Sequence, residues 1–523
     1  MAELTHETTK AADSIKAPVS QVIPVDIDIE HVPVRNDPRE WSSVRKNVSL
    51  TLISSAAMIA GLGGSIQNPA VSQMEADLPA TSSQFSLSIS VFILVQGMMP
   101  LVWSAISEVK GRKLVYLISL ALFTVGSIVV AVSNSIELVI GFRSLQAAGS
   151  SAVIAIGAGT LVDIFEPAER GTKMGVYYIA PLLGPSIGPI VGGVLTTRFN
   201  WRAIFWFLAI LSGGICLCFL LFFNDTFRRE RSLTYQNVLK QRVRHATQRP
   251  VAARTGTAQS GSSSLGLSTD IDPEKQSGIA SVPLPPVKLS LRDVNPIKPI
   301  LLVLRRWNNL AILISSGLFF SFGFFIAYTS ARTLSSRYHY NPLKIGVVLL
   351  AYGLGCVAGS LLGGRWSDHE LSRLKVINGN ISYPEASMRL KSAIYSIFML
   401  PPCVLGFGWV CEKHVHVSVI CIMLFSCGFF SIWTYSSTLA YIVDANAGRS
   451  STAIATNSAF RGFSAFVATE IAVPLQDGLG DGWMYTIWSV LMAVSGLLIF
   501  LVAWRGELWR KQAEAREAKS HSR

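Results

Sequence analysis

Charged side chains interrupt stretches of this sequence that are otherwise apolar, where a charge is seldom accidental. Arg143 lies within IGFRSLQAAGSSA, Asp163 lies near the end of the same apolar stretch, and Glu470 follows Arg461 in AFRGFSAFVATEIAVPLQ. A carboxylate that is desolvated by apolar surroundings favours its protonated form, so it can take up and release a proton. A guanidinium stays protonated, and it can instead stabilise a nearby carboxylate as the anion. These residue types predict proton transfer, with Arg143, Asp163 and Glu470 as the candidates.

The apolar stretches themselves identify the class of protein. Half of the 523 residues are hydrophobic, 15% are charged and the mean hydropathy is +0.43, which excludes an ordinary soluble globular protein. Apolar runs of about 18 residues or more, each able to cross roughly 30 Å of hydrocarbon, recur along the chain. The sequence predicts an all-α polytopic membrane protein with twelve spans, near 50–72, 86–106, 114–132, 138–162, 173–195, 202–223, 309–331, 344–364, 390–410, 417–440, 453–473 and 483–504.

Polar stretches divide the chain into two halves. The first 45 residues are polar and lack the features of a signal peptide. TGTAQSGSSSLGLSTD and the Pro-rich SVPLPPVK separate the two sets of spans and are typical of a flexible tether. We therefore expect a disordered N-terminal tail over 1–45, a six-helix bundle over 46–223, a partly disordered linker over 224–306, a second bundle over 307–504 and a basic tail over 505–523.

The distribution of charge predicts the orientation of the chain in the membrane. The formal net charge is +13, and the basic residues crowd before the first span, at 110–113, in the linker and in the C-terminal tail. By the positive-inside rule these regions are cytoplasmic, so both termini and the linker are predicted to face the cytoplasm, most simply at the plasma membrane. Because the charges follow the loops, they do not form a patch for nucleic acid.

A short motif occurs once in each half of the chain. PLVWSAISEVKGRK at 100–113 and its degenerate echo GGRWSDHEL at 363–371 each pass from small residues to an acid and then to basic or polar residues. The first resembles the signature G-x-L-(A/S)-D-x-x-G-R-(K/R) of the major facilitator superfamily. The residues that carry this resemblance and its echo are Ser104, Ile106, Ser107, Glu108, Gly111, Arg112, Lys113 and Asp368. The resemblance implies two related six-helix bundles and a cytoplasmic gate held by charge pairs of Glu108, Arg112 and Asp368.

The fifth predicted span carries small residues at four-residue intervals. This spacing places them on one stripe of a helix, where another backbone can approach closely. The stripe consists of Gly184, Pro185, Gly188, Pro189, Gly192 and Gly193. Close packing alone would explain it, but G-P-x-x-G-P-x-x-G-G also resembles the antiporter motif of drug:proton exporters in the superfamily.

The fourth predicted span resembles a second motif of that group. Arg143 and Gln146 match R-x-x-Q-G, with Ala147 in place of the glycine, and Asp163 belongs to a D-x-(F/L)-x-x-x-x-R-G pattern at the cytoplasmic end. The resemblance implies that the arginine helps to move protons. Asp163 then contacts the inner gate, whereas Glu470 is either a proton carrier or a glutamate at the outer rim.

The segment over 434–462 indicates a branch of the superfamily. Tyr441, Val443, Asp444, Gly448, Arg449 and Arg461 match the span 10 to span 11 segment of fungal twelve-span drug:proton antiporters. The quinidine-resistance and polyamine-export branch is the nearest likeness, and the exporters of the spore-wall dityrosine precursor form its sister.

Polar and aromatic residues of several spans are candidates for a substrate cavity. Aromatic faces can hold an organic cation, although each ring can equally pack against lipid or a neighbouring helix. The candidates are Asn68, Gln146, Tyr328, Trp433, Tyr435, Asn457 and Arg461.

The sequence contains no nucleotide-binding P-loop, and its histidines and cysteines have no metal-ligand spacing. We therefore expect no enzyme, cofactor or metal, and a proton gradient as the energy source. The predicted function is antiport that exports drugs, polyamines or other organic cations, by a monomer whose partners are its substrate, protons and lipid. The alternatives are an exporter of one endogenous metabolite, such as a dityrosine-type wall precursor, secondary metabolite or toxin, and a proton-coupled nutrient importer.

Overall fold

The computed structural model describes residues 34, 36–228, 235, 297–377, 386–446 and 450–521. Twelve long helices run through these residues, and no strand occurs among them. The first six are α1 (Ser43–Ser65), α2 (Ser82–Met98 continued by Pro100–Lys110), α3 (Arg112–Val132), α4 (Ile136–Ile164), α5 (Pro167–Arg198) and α6 (Arg202–Phe222). The second six are α7 (Trp307–Ser336), α8 (Pro342–Ile377), α9 (Ile394–Glu412), α10 (Val417–Ala445), α11 (Ser450–Glu470) and α12 (Ala472–His521).

Eleven helices of the described chain are long and apolar enough to cross a membrane. The remaining long helix, α11, is 21 residues long and more polar, because it carries Asn457 and Arg461 as well as several serines and threonines. It packs against α7 of its own half and α2 of the other half, so these groups face protein. The predicted all-α architecture of two six-helix bundles is confirmed.

Local signals set the ends of several helices. Gln67-Asn68-Pro69 ends the first span early and leads through a 3-10 turn into the short helix Val71–Asp77. Thr81 and Gln84 form a capping box that starts α2. Gly111 separates α2 from α3 with φ of +92°, a conformation that favours glycine. The predicted edge of the first span, residue 72, therefore lies beyond the end of α1.

Helices flank the second bundle on both sides. The last residues of the linker form a helix over Ile297–Leu304, and α12 continues through the predicted tail to His521. Arg306, which is only 6% exposed, donates from Nε and Nη2 to the two carboxylate oxygens of Glu517, at 2.9 and 3.0 Å. The low-complexity part of the linker and the first 33 residues of the N-terminal tail lie outside the described residues.

The two bundles meet near one end of the molecule. We call the end that carries residues 110–112 and 223–228 the linker end, and the end that carries residues 77–82 and 337–342 the far end. Towards the far end, α2 packs on α11 and α5 packs on α8. The linker-end segment of α2, Pro100–Lys110, barely contacts α11. A cleft between the bundles therefore opens toward the linker end.

Glycines allow the far-end contacts. A Cβ added at Gly97 of α2 would lie 2.5 Å from Cα of Gly462 of α11. The stripe of α5 contacts two helices. A Cβ at Gly192 would lie 1.8 Å from the carbonyl oxygen of Ile66, just after α1, and one at Gly193 would lie 2.6 Å from that of Pro342 in α8. The stripe thus packs both within its bundle and across to the other.

We predict that substitutions of two neighbouring glycines of this stripe, Gly192 and Gly193, have different consequences. Gly193→Val should separate the bundles at the far end, because its side chain has no room beside Pro342. A cysteine placed at buried Ala468 of α11 should then react several-fold faster with a membrane-impermeant maleimide in a cysteine-free background. Gly192→Leu should instead prevent folding of the first bundle, measured as loss of a monodisperse species.

Gly141 of α4 provides the matched control, because a Cβ there meets no atom within 4 Å. Gly141→Val should leave both the yield and the labelling rate unchanged. Equal labelling of the Gly193→Val and Gly141→Val proteins would show that α5 does not hold the far end closed.

Candidate functional site

Arg461 lies in the middle of α11 and is the charged residue of the cleft in the second bundle. Its Nη1 donates to the hydroxyl of Tyr435 on α10 at 2.7 Å. Its guanidinium carbon lies 3.8 Å from the ring centroid of Phe320 on α7 and 5.0 Å from that of Tyr435. Nε of Arg461 is buried and has no hydrogen-bond partner. Two aromatic faces therefore hold the guanidinium, and one edge of it stays unpaired.

Asn457 lies one helical turn before Arg461 on the same face of α11. Its side chain is 1% exposed, and neither the amide oxygen nor the amide nitrogen has a hydrogen-bond partner. A buried amide without partners costs free energy, about 1–3 kcal/mol, unless another group completes its hydrogen bonds. Arg461, Asn457 and Tyr435, three of the predicted cavity residues, are thus brought together.

Arg143 occupies the interior of the first bundle and is fully buried. Its Nη1 donates to the carbonyl oxygen of Gly63 at 3.3 Å and to Oε1 of Gln146 at 3.1 Å. Its guanidinium carbon lies 4.3 Å from the ring centroid of Phe92 and 5.8 Å from that of Phe205. Nε and Nη2 have no hydrogen-bond partner.

The expectation that Arg143 stabilises a nearby carboxylate is wrong for this conformation. Among the described residues, Arg143 forms no ion pair, because backbone oxygen, an amide and aromatic faces take the place of an acid. Gln146 in turn donates to Ser127 of α3 at 2.8 Å and so belongs to the packing of its bundle.

A row of phenylalanine rings lies between the two arginines. Phe92 contacts Arg143, and Phe320 contacts Arg461. Phe324 packs edge-on against Phe320 with a centroid distance of 5.1 Å. A Cβ at Gly64 would lie 3.4 Å from Phe324 and 3.8 Å from Phe92, so this glycine lets the rings of the two bundles approach. The guanidinium groups are separated by rings and not by acids.

Glu470 is the last residue of α11 and lies near the far end. Its Oε1 accepts a hydrogen bond from Ser90 of α2, and the neighbouring Thr469 carbonyl accepts one from Ser86 at 2.6 Å. These bonds join the two bundles. Arg461 does not pair with Glu470, since each has a different partner. The role of Glu470 as a proton carrier stays a prediction.

The motif at the linker end forms an ion pair within the first bundle. Arg112 donates from Nε to Oδ2 of Asp163 at 3.2 Å and from Nη1 to Ser107 at 2.6 Å. Its backbone N–H donates to Asp225, which follows α6, at 3.0 Å. Lys113 donates to the carbonyl oxygen of Leu220. The motif thus ties α2, α3, α4 and the end of α6 together.

Other members of the predicted gate behave differently. Oε2 of Glu108 is buried and has no hydrogen-bond partner, so the expected pair involving Glu108 does not form in this conformation. The physical reason is that Asp163 and Ser107 already occupy the guanidinium of Arg112. Ser104 contributes its carbonyl oxygen to Ser107 at 2.9 Å. Asp368 lies on α8, and its side chain is outside the described residues.

The remaining cavity candidates are packed into the helices. Trp433 contacts Trp366 and Phe429, with centroid distances of 6.4 and 5.6 Å, and Tyr328 is 1% exposed. Asn68 is 4% exposed in the turn that follows α1. The sequence analysis missed Gln67, which is fully buried with both amide atoms unpaired. Its position beside Asn68 and Pro69, where the helix breaks, was the available signal.

Comparison with known proteins agrees with this architecture. The sequence profile described as Major Facilitator Superfamily matches residues 53–469. The chain belongs to the Major Facilitator Superfamily. The MFS antiporter QDR3 of Candida albicans is 25% identical over 587 residues, which cover 96% of this chain and 84% of that protein. Citrate exporter 1 of Aspergillus niger is 25% identical over 537 residues, 97% of this chain and 98% of that protein.

A solved structure shows the same fold. The human organic anion transporter MFSD10 (TETRAN) superposes with a TM-score of 0.57 at 16% sequence identity, covering 87% of this chain and 99% of that one. The predicted likeness to fungal drug:proton antiporters of the quinidine-resistance branch is confirmed by relatives such as QDR3.

We predict that substitutions of Asp163 and Glu108, two acids of the linker end, affect the stability of the protein differently. Asp163→Asn removes the partner of Arg112, so the free energy of unfolding should fall by about 1–3 kcal/mol, and the melting temperature of the purified protein should fall by several degrees. Glu108→Gln should leave this temperature unchanged, because Oε2 of Glu108 has no partner here. If Glu108 pairs across the bundles when the linker end closes, the same variant should slow transport several-fold.

Thermal unfolding in detergent and initial transport rates at matched abundance check these expectations. Arg112→Lys is the companion variant, because it keeps the charge and loses the planar fork. A Glu108→Gln protein with wild-type rates would remove Glu108 from the gate.

Proposed function

We propose that this chain exports a small organic molecule in exchange for protons by alternating access. The observation that carries the proposal is the arrangement of the two bundles, which pack together near the far end and hold buried, unpaired polar groups of α11 beside the contact between them. A substrate that enters from the linker side leaves on the other side once the bundles rock about it. The relatives named above as an antiporter and as an exporter support the same direction.

Glu470 supports the coupling to protons. Its hydrogen bond with Ser90 joins α11 to α2, so it exists only while the far end is closed. Opening of the far end breaks this bond and connects the carboxylate with the outer solution, the side from which the exchanged proton enters. The return to the closed state carries the proton inward and places the side chain against α2. Arg143 and Asp163 are the further candidates for this pathway.

We place the linker and both termini in the cytoplasm and the protein in the plasma membrane as a monomer. The basic residues of the linker end support this orientation. The proposal includes no enzymatic activity, metal or cofactor, and the proton gradient supplies the energy.

Two further candidate functions differ from this one in the substrate or in the direction of transport. The name of Citrate exporter 1 favours export of one endogenous metabolite over export of many drugs. Proton-coupled import of a nutrient is the remaining possibility, and the stripe of α5, which resembles the antiporter motif, argues against it. Everted membrane vesicles with quinidine, spermidine and citrate as probes, tested with and without a pH gradient, distinguish the three.

We predict that Glu470→Gln uncouples transport. Glutamine resembles the protonated acid and cannot release a proton, so uphill transport driven by a pH gradient should fall at least tenfold. Exchange of labelled for unlabelled substrate needs no net proton movement and should stay within about twofold of wild type. Proteoliposomes measure both quantities on one preparation.

Glu137→Gln is the matched control, since Glu137 is an exposed glutamate in the first turn of α4 at the same end. It should alter neither quantity. Full gradient-driven transport by Glu470→Gln would leave Glu470 as a rim residue and return the search to Asp163.

A further inference from the structure

We propose that the site around Arg461 binds the negatively charged group of the transported molecule, so that the substrate class is small organic anions, carboxylates in particular. This inference rests on the proposed function in that it places the substrate in the same cleft between the bundles.

The positions of the acids provide the first argument. Every carboxylate of the described helices lies near one end of its helix. Towards the far end these are Glu75, Asp77, Glu137, Glu412, Glu470, Asp477 and Asp481, and towards the linker end Glu108, Asp163, Glu169, Asp368, Glu370, Asp444, Glu507, Glu514 and Glu517. Arg461 lies nine residues, or about 13 Å along the helix, from Glu470. The guanidinium of Arg461 thus lies in the middle of the cleft without a counter-charge from the described residues.

The aromatic rings provide the second argument. Phe320 and Tyr435 are the rings that offer π faces beside Arg461, and the guanidinium of the protein already covers them at 3.8 and 5.0 Å. Phe92 is covered in the same way by Arg143. An incoming organic cation would meet a like charge at each of these faces, whereas an anion meets an opposite one. The expected use of these rings for organic cations therefore does not fit this site.

The unpaired polar atoms provide the third argument. Nε of Arg461 and both amide atoms of Asn457 are buried without partners, and they lie on one face of α11. The N–H groups of an arginine and of an amide are the donors that a carboxylate requires, and a guanidinium edge can engage it with two parallel hydrogen bonds. A bound carboxylate would accept hydrogen bonds from Nε of Arg461 and from the amide nitrogen of Asn457, and it would neutralise the buried charge.

Arg143 adds a second positive centre from the first bundle. Two of its nitrogens are unpaired, and the row of Phe92, Phe324 and Phe320 links it to Arg461. The potential of the cleft is therefore positive on both sides. An anion carrying an apolar or second acidic part is the molecule that these charges and rings fit.

Equilibrium binding to the purified full-length protein tests this inference without any pH gradient. The probes are benzoate, succinate and citrate as anions and spermidine as the cation, titrated at constant ionic strength with isothermal calorimetry. We expect at least one of the three anions to bind and spermidine not to bind. Arg461→Gln should weaken the binding of that anion at least tenfold, Asn457→Ala several-fold, and Arg461→Lys less than Arg461→Gln.

Arg198→Gln is the control, because Arg198 is an exposed arginine at the end of α5. It should bind the anion as wild type does. Size-exclusion elution identifies the variants that are folded. If Arg461→Gln is not folded, weaker binding of the anion by Arg461→Lys takes its place as the test. Spermidine binding in place of anion binding, the absence of binding by all three anions, or wild-type affinity in Arg461→Gln would overturn the inference.

A failure of the anion site can be distinguished from a failure of the proposed proton antiport. Anion binding that depends on Arg461, combined with vesicle transport indifferent to the pH gradient, would overturn proton antiport and retain the anion site. Gradient-driven export of spermidine without anion binding would do the reverse.

Discussion

The close approach of α2 to α11 at Gly97 and Gly462 is the contact on which the arrangement of the two bundles depends. In lipid no hydrophobic force favours one apolar helix surface over another, so association rests on close packing and on hydrogen bonds between helices. The paired glycines supply the packing, and Ser86 and Ser90 supply the bonds to Thr469 and Glu470. The same contact closes the far end and sets the depth of the cleft beneath it.

Polar contacts within a bundle differ in kind from those between the two bundles. The Arg112–Asp163 pair at the linker end lies within one bundle, and so do Arg332–Asp477 and Arg337–Glu412 at the far end. Such pairs join the helices of each bundle to one another. The described hydrogen bonds of α2 to Thr469 and Glu470 cross between the bundles, and each has a neutral hydroxyl as its donor. These contacts can therefore open without the separation of two opposite charges.

Much of the fold could be predicted from the sequence, because twelve long apolar runs admit few other structures in a membrane. The surroundings of single charges could not. The sequence correctly indicated that Arg143 is buried. Its partner, however, is the face of Phe92, which is about 50 positions away in the sequence and is brought near only by tertiary packing. Glu108 was expected to pair and does not, because pairing depends on conformation. The polar face of α11 was visible, yet nothing in its spacing showed that Asn457 would be unpaired.

The length of α12 affects how this chain can be cut or fused to other proteins. The roughly 40 residues after Gly480 form about 60 Å of helix, twice the thickness of the hydrocarbon, so the helix continues well past the membrane surface. Its last turns hold Arg306 through Glu517. A truncation at residue 505, where the hydropathy falls, would strand a nearly buried cation at the start of α7. A reporter domain is better joined after residue 521, where the helix is complete.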